Sequence, residues 1–468
     1  MLKAISKTAA ASTSTSAVRT QLHPLSLKSP RWRVLYGQRW HTQLRKQPGA
    51  PALPPDNICL AAAGVSTSST AQRKKVMFPG ALNSIYTHTL QFASNVESIP
   101  TYQVMDTDGN VLDAANEPQV SREEALYIYK NMHMLNAMDQ VLYEAQRQGR
   151  ISFYMTSFGE EALIGSAAAL DNKDMVFGQY REAGVLLHRG FTIEQFMNQC
   201  YSNERDLGKG RQMPVHYGTR ELNFQTISSP LATQIPQAAG AAYALRRDGG
   251  KQCAVCYFGE GAASEGDFHA GLNMAATLGC PVIFYCRNNG YAISTPSVEQ
   301  YRGDGIASRG IGYGIDTIRV DGNDIWAVYA ATKAARKIAV EHNRPVLIEA
   351  MTYRVSHHST SDDSSAYRSK KEVEDWSKRD NPVSRMRAWL ENKGWWANGD
   401  DAEIAKSAKA EVLHAFSAAE KLKKPSIGLM FEDVYDQLPP ELERERKEID
   451  ALVRKYPDYY QVHDFARQ

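Results

Sequence analysis

Two short loops of this 468-residue chain carry the residue types needed to hold a metal-bridged anion. The first, Gly259-Glu260-Gly261, ends an apolar run at 253–258 and passes at once into Ala262-Ala263-Ser264, which reads as the start of a helix. Glycines let the backbone approach a bulky anion, and a helix start offers unpaired N–H groups and the positive end of its dipole. Gly261 and Ala262 are therefore expected to face the anion. The second loop, Arg287-Asn288-Asn289-Gly290-Tyr291, follows another apolar run at 281–286. A diphosphate does not rest on a carboxylate unless a cation lies between them, and magnesium takes hard oxygen ligands in an octahedral shell. Glu260, the Asn289 amide oxygen and the Tyr291 carbonyl supply three such ligands, and Arg287 is placed to pair with phosphate. Each loop alone is weak evidence, since a Gly-x-Gly turn before a helix is commonly plain structure; the two together, at strand ends and at this spacing, point to a cofactor.

The elements that must position these loops are short apolar runs alternating with helical patterns. Strands are expected at 174–178, 253–258, 281–286, 317–320 and 345–350, with helices at 232–246, 263–278 and 325–341. Buried all-apolar strands alternating with helices imply an α/β fold with a doubly wound parallel sheet, whose ligands bind at the carboxyl ends of the strands. A long helix opens at Ser121, with Glu124 completing a capping box. Leu126, Tyr129, Met132, Leu135, Met138, Leu142 and Ala145 form its apolar stripe. Residues 71–120 read as an extended N-terminal arm with a hairpin around Asp106-Thr107-Asp108-Gly109. The α/β domain is placed at 121–375 and a helical C-terminal region at 376–468. There Ile404, Val412, Leu413, Phe416, Ala419 and Leu422 mark one amphipathic helix, and 441–455 a solvated one.

The formal charge of +2 hides an asymmetry, because residues 1–55 hold nine Lys or Arg and no acid. A basic, Ser-rich, acid-free leader reads as an organellar transit peptide, taken as residues 1–70; a basic nucleic-acid-binding arm is the alternative. Without that leader the chain is mildly acidic, which argues against nucleic acid as a partner. No run approaches 18 apolar residues, so no membrane span is expected. The six cysteines are few, and Cys253-Ala254-Val255-Cys256 invites a zinc or redox reading. Residues three apart on a strand point to opposite faces, and no second pair stands at zinc spacing, so buried thiols are expected.

The two loops resemble the thiamine-diphosphate fingerprint, a Gly-Asp-Gly followed by Asn-Asn, with Glu260 where the fingerprint usually has Asp. More widely, residues 259–301 and 353–369 closely resemble the alpha subunits of branched-chain 2-oxoacid dehydrogenases, and the likeness extends over about 78–465. Pyruvate dehydrogenase alpha subunits share the cofactor motif but lack the run His357-His358-Ser359-Thr360-Ser361-Asp362-Asp363. The resemblance implies thiamine diphosphate, Mg2+ and K+ as cofactors. By matching position it implies that Gln179, Tyr180 and Arg181 contribute to the cofactor pocket, with Arg181 on the diphosphate. Ser228, Pro230, Thr233 and Gln234, with Ser229 on the cofactor, match the family's potassium loop, although Ser228-Ser229-Pro230 alone reads as a helix N-cap. His358 matches the histidine over the cofactor's reactive carbon; from the residues alone, a polar loop histidine or a metal-binding His357-His358 pair stands beside that role. Ser359 and Ser369 match kinase-regulated serines.

The family also places the carboxylate that activates thiamine in a second domain. This chain has room for one such domain, so a beta subunit in an α2β2 assembly is expected to bring it. A lipoyl-bearing transacylase core, a regulatory kinase and phosphatase, and a mitochondrial matrix location complete what the resemblance implies.

Overall fold

The computed structural model describes residues 75–78, 81–85, 88–90, 92, 97–397 and 399–466. They belong to two compact units, residues 1–90 and 91–468. In the first, Lys75–Phe78 and Ala81–Ile85 form an antiparallel hairpin. The expected transit segment at 1–70 lies outside the described residues.

The second unit is built on seven strands: β1 (Thr101–Tyr102), β2 (Met175–Phe177), β3 (Phe224–Gln225), β4 (Ala254–Gly259), β5 (Val282–Asn288), β6 (Asp316–Asp321) and β7 (Val346–Met351). They lie in the order β1-β6-β7-β5-β4-β2-β3, every pair parallel. The five expected strands are all present, so the doubly wound α/β fold is borne out. The edge strands β1 and β3 went unread, because two residues carry no periodicity.

Side chains alternate along the central strands into two cores. Val255, Tyr257, Ile283, Tyr285, Val320 and Ile348 face one, and Ala254, Cys256, Phe258, Val282, Phe284, Cys286 and Leu347 face the other. A strand buried on both faces must be apolar throughout, which is why these runs stood out in the sequence. Cys253 and Cys256 fall into different cores, and all five described cysteines are free and buried. The thiol pair therefore has no shared site, as the spacing argument required.

Helices cover both faces. On one side lie α1 (Arg122–Arg147) and α5 (Ile325–His342). On the other lie α3 (Gln234–Arg247) and α4 (Gly266–Leu278). The short α2 (Ala183–His188) follows β2. Ser121 caps α1 by accepting the Glu124 N–H at 3.1 Å, though only this half of the expected box forms. The stripe from Tyr129 to Ala145 is buried as expected, with Leu126 half-buried beside it.

The arm residues continue into this unit. Val104 and Met105 donate their N–H groups to Asp324 Oδ2 at 2.7 and 2.8 Å. The hairpin at 106–109 forms, and Gly109 turns with φ +75° against α7 (Pro382–Asn392), where a Cβ would stand 2.4 Å from the Trp389 nitrogen.

The boundary drawn at 375 falls inside α6 (Lys370–Arg379). Val412, Ala415, Phe416 and Ala419 of α8 (Asp400–Glu420) enter the same core as α1. Leu413, expected on that apolar face, is 43% exposed, because Val412 and Phe416 already define the buried stripe. Leu422 lies beyond the end of α8. The last helix, α9 (Pro440–Lys455), buries none of its residues and is solvated as expected.

Candidate active site

Four loops meet at the carboxyl ends of β2, β4, β5 and β7. The Gln179 side chain binds the first two together, its Oε1 accepting the Gly259 N–H at 2.7 Å. Glu182 holds the same turn by accepting the N–H groups of Gln179 and Tyr180 at 2.7 and 2.8 Å. The helix expected directly after Gly261 starts later: Ala262–Ser264 forms a 3-10 turn, and α4 begins at Gly266. Gly261 is required by close approach, since a Cβ there would lie 2.9 Å from Ala292 Cβ, on the hairpin joining Tyr291–Ala292 to Thr295–Pro296.

Glu260 is 1% exposed. Its Oε2 lies 3.4 Å from the Asn289 N–H, while its buried Oε1 has no hydrogen-bond partner. Burial, with Glu160 adding to it, pushes this carboxyl up to about 7. A buried carboxylate oxygen left without a donor is costly, and a cation removes that cost. Asn289 lies alongside, its Nδ2 donating to Glu160 Oε1 at 2.9 Å and its Oδ1 accepting the Tyr291 N–H at 3.3 Å. The Tyr291 carbonyl accepts from Arg354 Nη1 at 3.4 Å. A carboxylate, an amide oxygen and a carbonyl are a hard-oxygen donor set, which fits magnesium. Among the described residues no group of three or more His, Cys, Asp and Glu is arranged to hold a metal, and His357 Nδ1 instead accepts the Ser364 N–H at 2.9 Å.

Two carboxylates that the sequence reading missed organise the arginines. Glu160 accepts from Arg287 Nη1 at 2.7 Å and lies 3.7 Å from Arg181 Nε, and Glu182 accepts from Arg287 Nε at 3.1 Å. Burial raises the Glu160 carboxyl, but Arg287 and Arg181 outweigh it and hold the group below its usual value. Arg287 is 2% exposed and embraced by both carboxylates, with its Nη2 lacking an aligned hydrogen bond. Arg181 donates to the backbone carbonyls of Thr156 and His358, so it ties the β2 loop to the segment after β7. Fully buried charges need partners. That rule was the one signal that Arg181 and Arg287, once placed inside, demand nearby acids.

His358 lies against Tyr180, their rings edge to face with centroids 5.8 Å apart and the phenol oxygen 3.5 Å from Nε2. Burial, then Arg181 and Arg354, push its imidazole down to about 3. Its backbone N–H donates to Asp362 Oδ2 at 2.8 Å. The four loops thus bring Gln179, Tyr180, Arg181, Glu260, Gly261, Arg287, Asn289, Tyr291 and His358 into one neighbourhood of strand ends.

Ser228, Ser229 and Pro230 are exposed in the turn before α3. Ser229 Oγ lies 2.7 Å from His216 Nε2, Thr233 Oγ1 donates to the Pro230 carbonyl at 3.2 Å, and Gln234 Nε2 to the Tyr257 carbonyl at 3.2 Å. The N-cap of α3 is Thr233, without a side-chain cap, so Ser228-Ser229-Pro230 does not cap this helix. Ser359 is 8% exposed and its Oγ accepts the Ser361 N–H at 3.2 Å. Ser369 is exposed and caps α6, accepting the Glu372 N–H at 3.1 Å.

Residues 129–428 match the model of a family described as dehydrogenase E1 component. The chain is 57% identical to the human mitochondrial 2-oxoisovalerate dehydrogenase subunit alpha over 396 residues, 84% of this chain and 89% of that one. It is 58% identical over 370 residues to the subunit of the same description from Caenorhabditis elegans, covering 79% and 86% of the two chains. The Dictyostelium discoideum counterpart is 57% identical over 386 residues, covering 82% and 88%.

Proposed function

The chain belongs to the dehydrogenase E1 component family, and from that premise we propose that it acts as the alpha subunit of a mitochondrial branched-chain 2-oxoacid dehydrogenase, dependent on thiamine diphosphate. The observation that carries this reading is the buried, unpartnered Glu260 Oε1 beside Asn289, at the ends of adjacent parallel strands. Glu260, Asn289 and the Tyr291 carbonyl hold Mg2+, which neutralises the diphosphate against the carboxylate. The Gly261 and Ala262 amides and Ser229 complete the cofactor contacts. Ser228, Pro230, Thr233 and Gln234 hold K+ in the turn before α3.

When bound, the thiazolium ring acts as the electron sink while carbon dioxide leaves a 2-oxoacid. This chain's part is to hold and orient. Arg287, fixed by Glu160 and Glu182, sets a positive edge toward the diphosphate, and Arg181 adds a second. Burial, Arg181 and Arg354 disfavour the charged imidazole of His358, so its part is that of a neutral ring that donates a hydrogen bond from one nitrogen and accepts one at the other. The beta subunit supplies the carboxylate that activates the cofactor. The lipoyl disulfide of a transacylase core would serve as two-electron oxidant and acceptor, its S–S bond breaking as one sulfur takes the acyl group in a thioester and the other becomes a thiol, and a kinase and phosphatase act on Ser359 and Ser369.

The test is co-expression with the beta chain and a decarboxylation assay across 2-oxoacids, with and without thiamine diphosphate and Mg2+. Preferred turnover of 3-methyl-2-oxobutanoate is expected. Equal or better turnover of pyruvate would move the chain to a different substrate class, and no cofactor-dependent turnover at all would mark a non-catalytic subunit. Glu260→Ala is expected to abolish Mg2+-dependent cofactor binding; unchanged affinity would overturn the metal assignment.

A further inference from the structure

An asparagine serves a cation only through its oxygen, while its two amide ends have nearly the same shape. Something must therefore choose which end of Asn289 faces Glu260. Glu160 is the neighbour able to do so. It is 3% exposed, and its Oε1 accepts from Asn289 Nδ2 at 2.9 Å while its Oε2 accepts from Arg287 Nη1 at 2.7 Å. Both oxygens are committed to donors, so the carboxylate leaves no orientation in which the Asn289 oxygen could point toward it without two acceptors meeting. The amide oxygen is turned instead to the Tyr291 N–H at 3.3 Å, within the loop that faces Glu260.

We propose that Glu160 is a positioning residue of the metal site: by accepting from Asn289 Nδ2 it presents the amide oxygen to the divalent cation, and Arg287 fixes Glu160 in turn. This rests on the reading of Glu260 and Asn289 as ligands of Mg2+.

A glutamine at position 160 is nearly isosteric and separates orientation from shape. Its oxygen goes to the Arg287 cation, which leaves its NH2 facing Asn289. Asn289 must then offer its oxygen to that donor and its nitrogen to the metal. The experiment is a titration with Mn2+, as the paramagnetic substitute for Mg2+, of the assembled alpha–beta enzyme with thiamine diphosphate, following the signal of free Mn2+ by electron paramagnetic resonance. Glu160→Gln is expected to weaken Mn2+ binding roughly 10- to 100-fold, the range seen when partners of metal ligands are removed. The double variant Glu160→Gln with Asn289→Asp is expected to recover most of that loss, because the introduced glutamine donates to one oxygen of the introduced carboxylate and leaves the other free for the cation. Asn289→Asp alone is expected to bind poorly, with two carboxylates facing each other.

Wild-type affinity in Glu160→Gln overturns the inference. So does an Asn289→Asp variant that binds as well as the double variant, since the recovery would then come from added charge. If Glu160→Gln alone fails to assemble, the comparison of Asn289→Asp with the double variant decides. Glu260→Ala keeps the two readings apart: intact Mn2+ binding there removes the metal assignment itself, whereas loss there with no effect at Glu160→Gln removes only this inference.

Discussion

At the scale of single residues, two buried groups give pH dependences of opposite sign. The imidazole of His358 is pushed down to about 3 from an ordinary 6.5, by burial and then by Arg181 and Arg354. On acidification the unfolded chain takes up this proton first, so the stability is fully present above pH 6.5 and falls progressively toward pH 3. In thermal melts between pH 7 and 5, the parent protein should lose stability relative to His358→Gln; a constant difference would mean the imidazole charges freely in the fold. Asp139 is the converse. It accepts from the Tyr154 hydroxyl at 2.8 Å and from the Ser157 N–H, and burial pushes it from 3.8 up to about 7. The folded chain binds this proton more tightly, so the stability it gives is present below pH 3.8 and is lost as pH rises toward 7. Asp139→Asn should therefore gain on the parent as pH goes from 4 to 8, and a parallel pair of melting curves would refute it. Residues such as Glu260 and Asn289 were legible because their types and spacing name a chemistry. Asp139, Glu160 and Glu182 were not, since a carboxylate in a loop reads as solvated until the fold buries it beside a partner.

At the scale of elements, the segment after β7 is pinned at several points, and one side chain holds three of its carbonyls. Arg368 donates to the carbonyls of Arg354, Val355 and Ser356 and is 5% exposed. Thr360 is tied to Tyr154 by backbone and hydroxyl bonds. Ser359, at 8% exposure, is therefore out of a kinase's reach until this segment opens. Arg368→Met leaves those carbonyls without their donor. It should speed protease cleavage within 355–369 and, if Ser359 is a kinase substrate, phosphate incorporation there; unchanged cleavage would show that Arg368 does not hold the segment closed. Ser369 acts at the amino end of α6. Ser369→Ala should cost about 1 kcal/mol through the lost cap, whereas Ser369→Asp retains the acceptor and should not. Element reading from sequence succeeded where burial imposed a pattern, as in β4, β5 and α1. It failed where tertiary contact defines the element, since β1 and β3 exist by pairing with longer strands, and it missed the 3-10 turn at Ala262–Ser264 that precedes the start of α4 at Gly266.

At the scale of the whole molecule, the division of labour between chains follows from the sheet. The groups proposed for the cofactor sit on the carboxyl ends of a single doubly wound sheet, and apart from Tyr180 and His358 their chemistry suits an anion and metal clamp: arginines, amides, and a buried carboxylate with an unpartnered oxygen. Thiamine also needs a carboxylate against its aminopyrimidine ring, at the opposite end of the cofactor from the diphosphate. Among the carboxylates described at these strand ends, Glu160 and Glu182 are committed to Arg287 and Glu260 to the proposed metal, so none of them is left for that ring. Binding should thus be completed only when the beta subunit closes over the site. A ligand that binds the folded state alone, at 100 times its Kd, stabilises it by about 2.7 kcal/mol. Thiamine diphosphate with Mg2+ should accordingly raise the melting temperature of the alpha–beta pair by several degrees and leave that of this chain alone nearly unchanged. In the same preparations the pair should decarboxylate 3-methyl-2-oxobutanoate and the single chain should not. If the single chain turned over at the rate of the pair, its own residues would have to supply the activating carboxylate, and the clamp described here would be a complete active site instead of half of one.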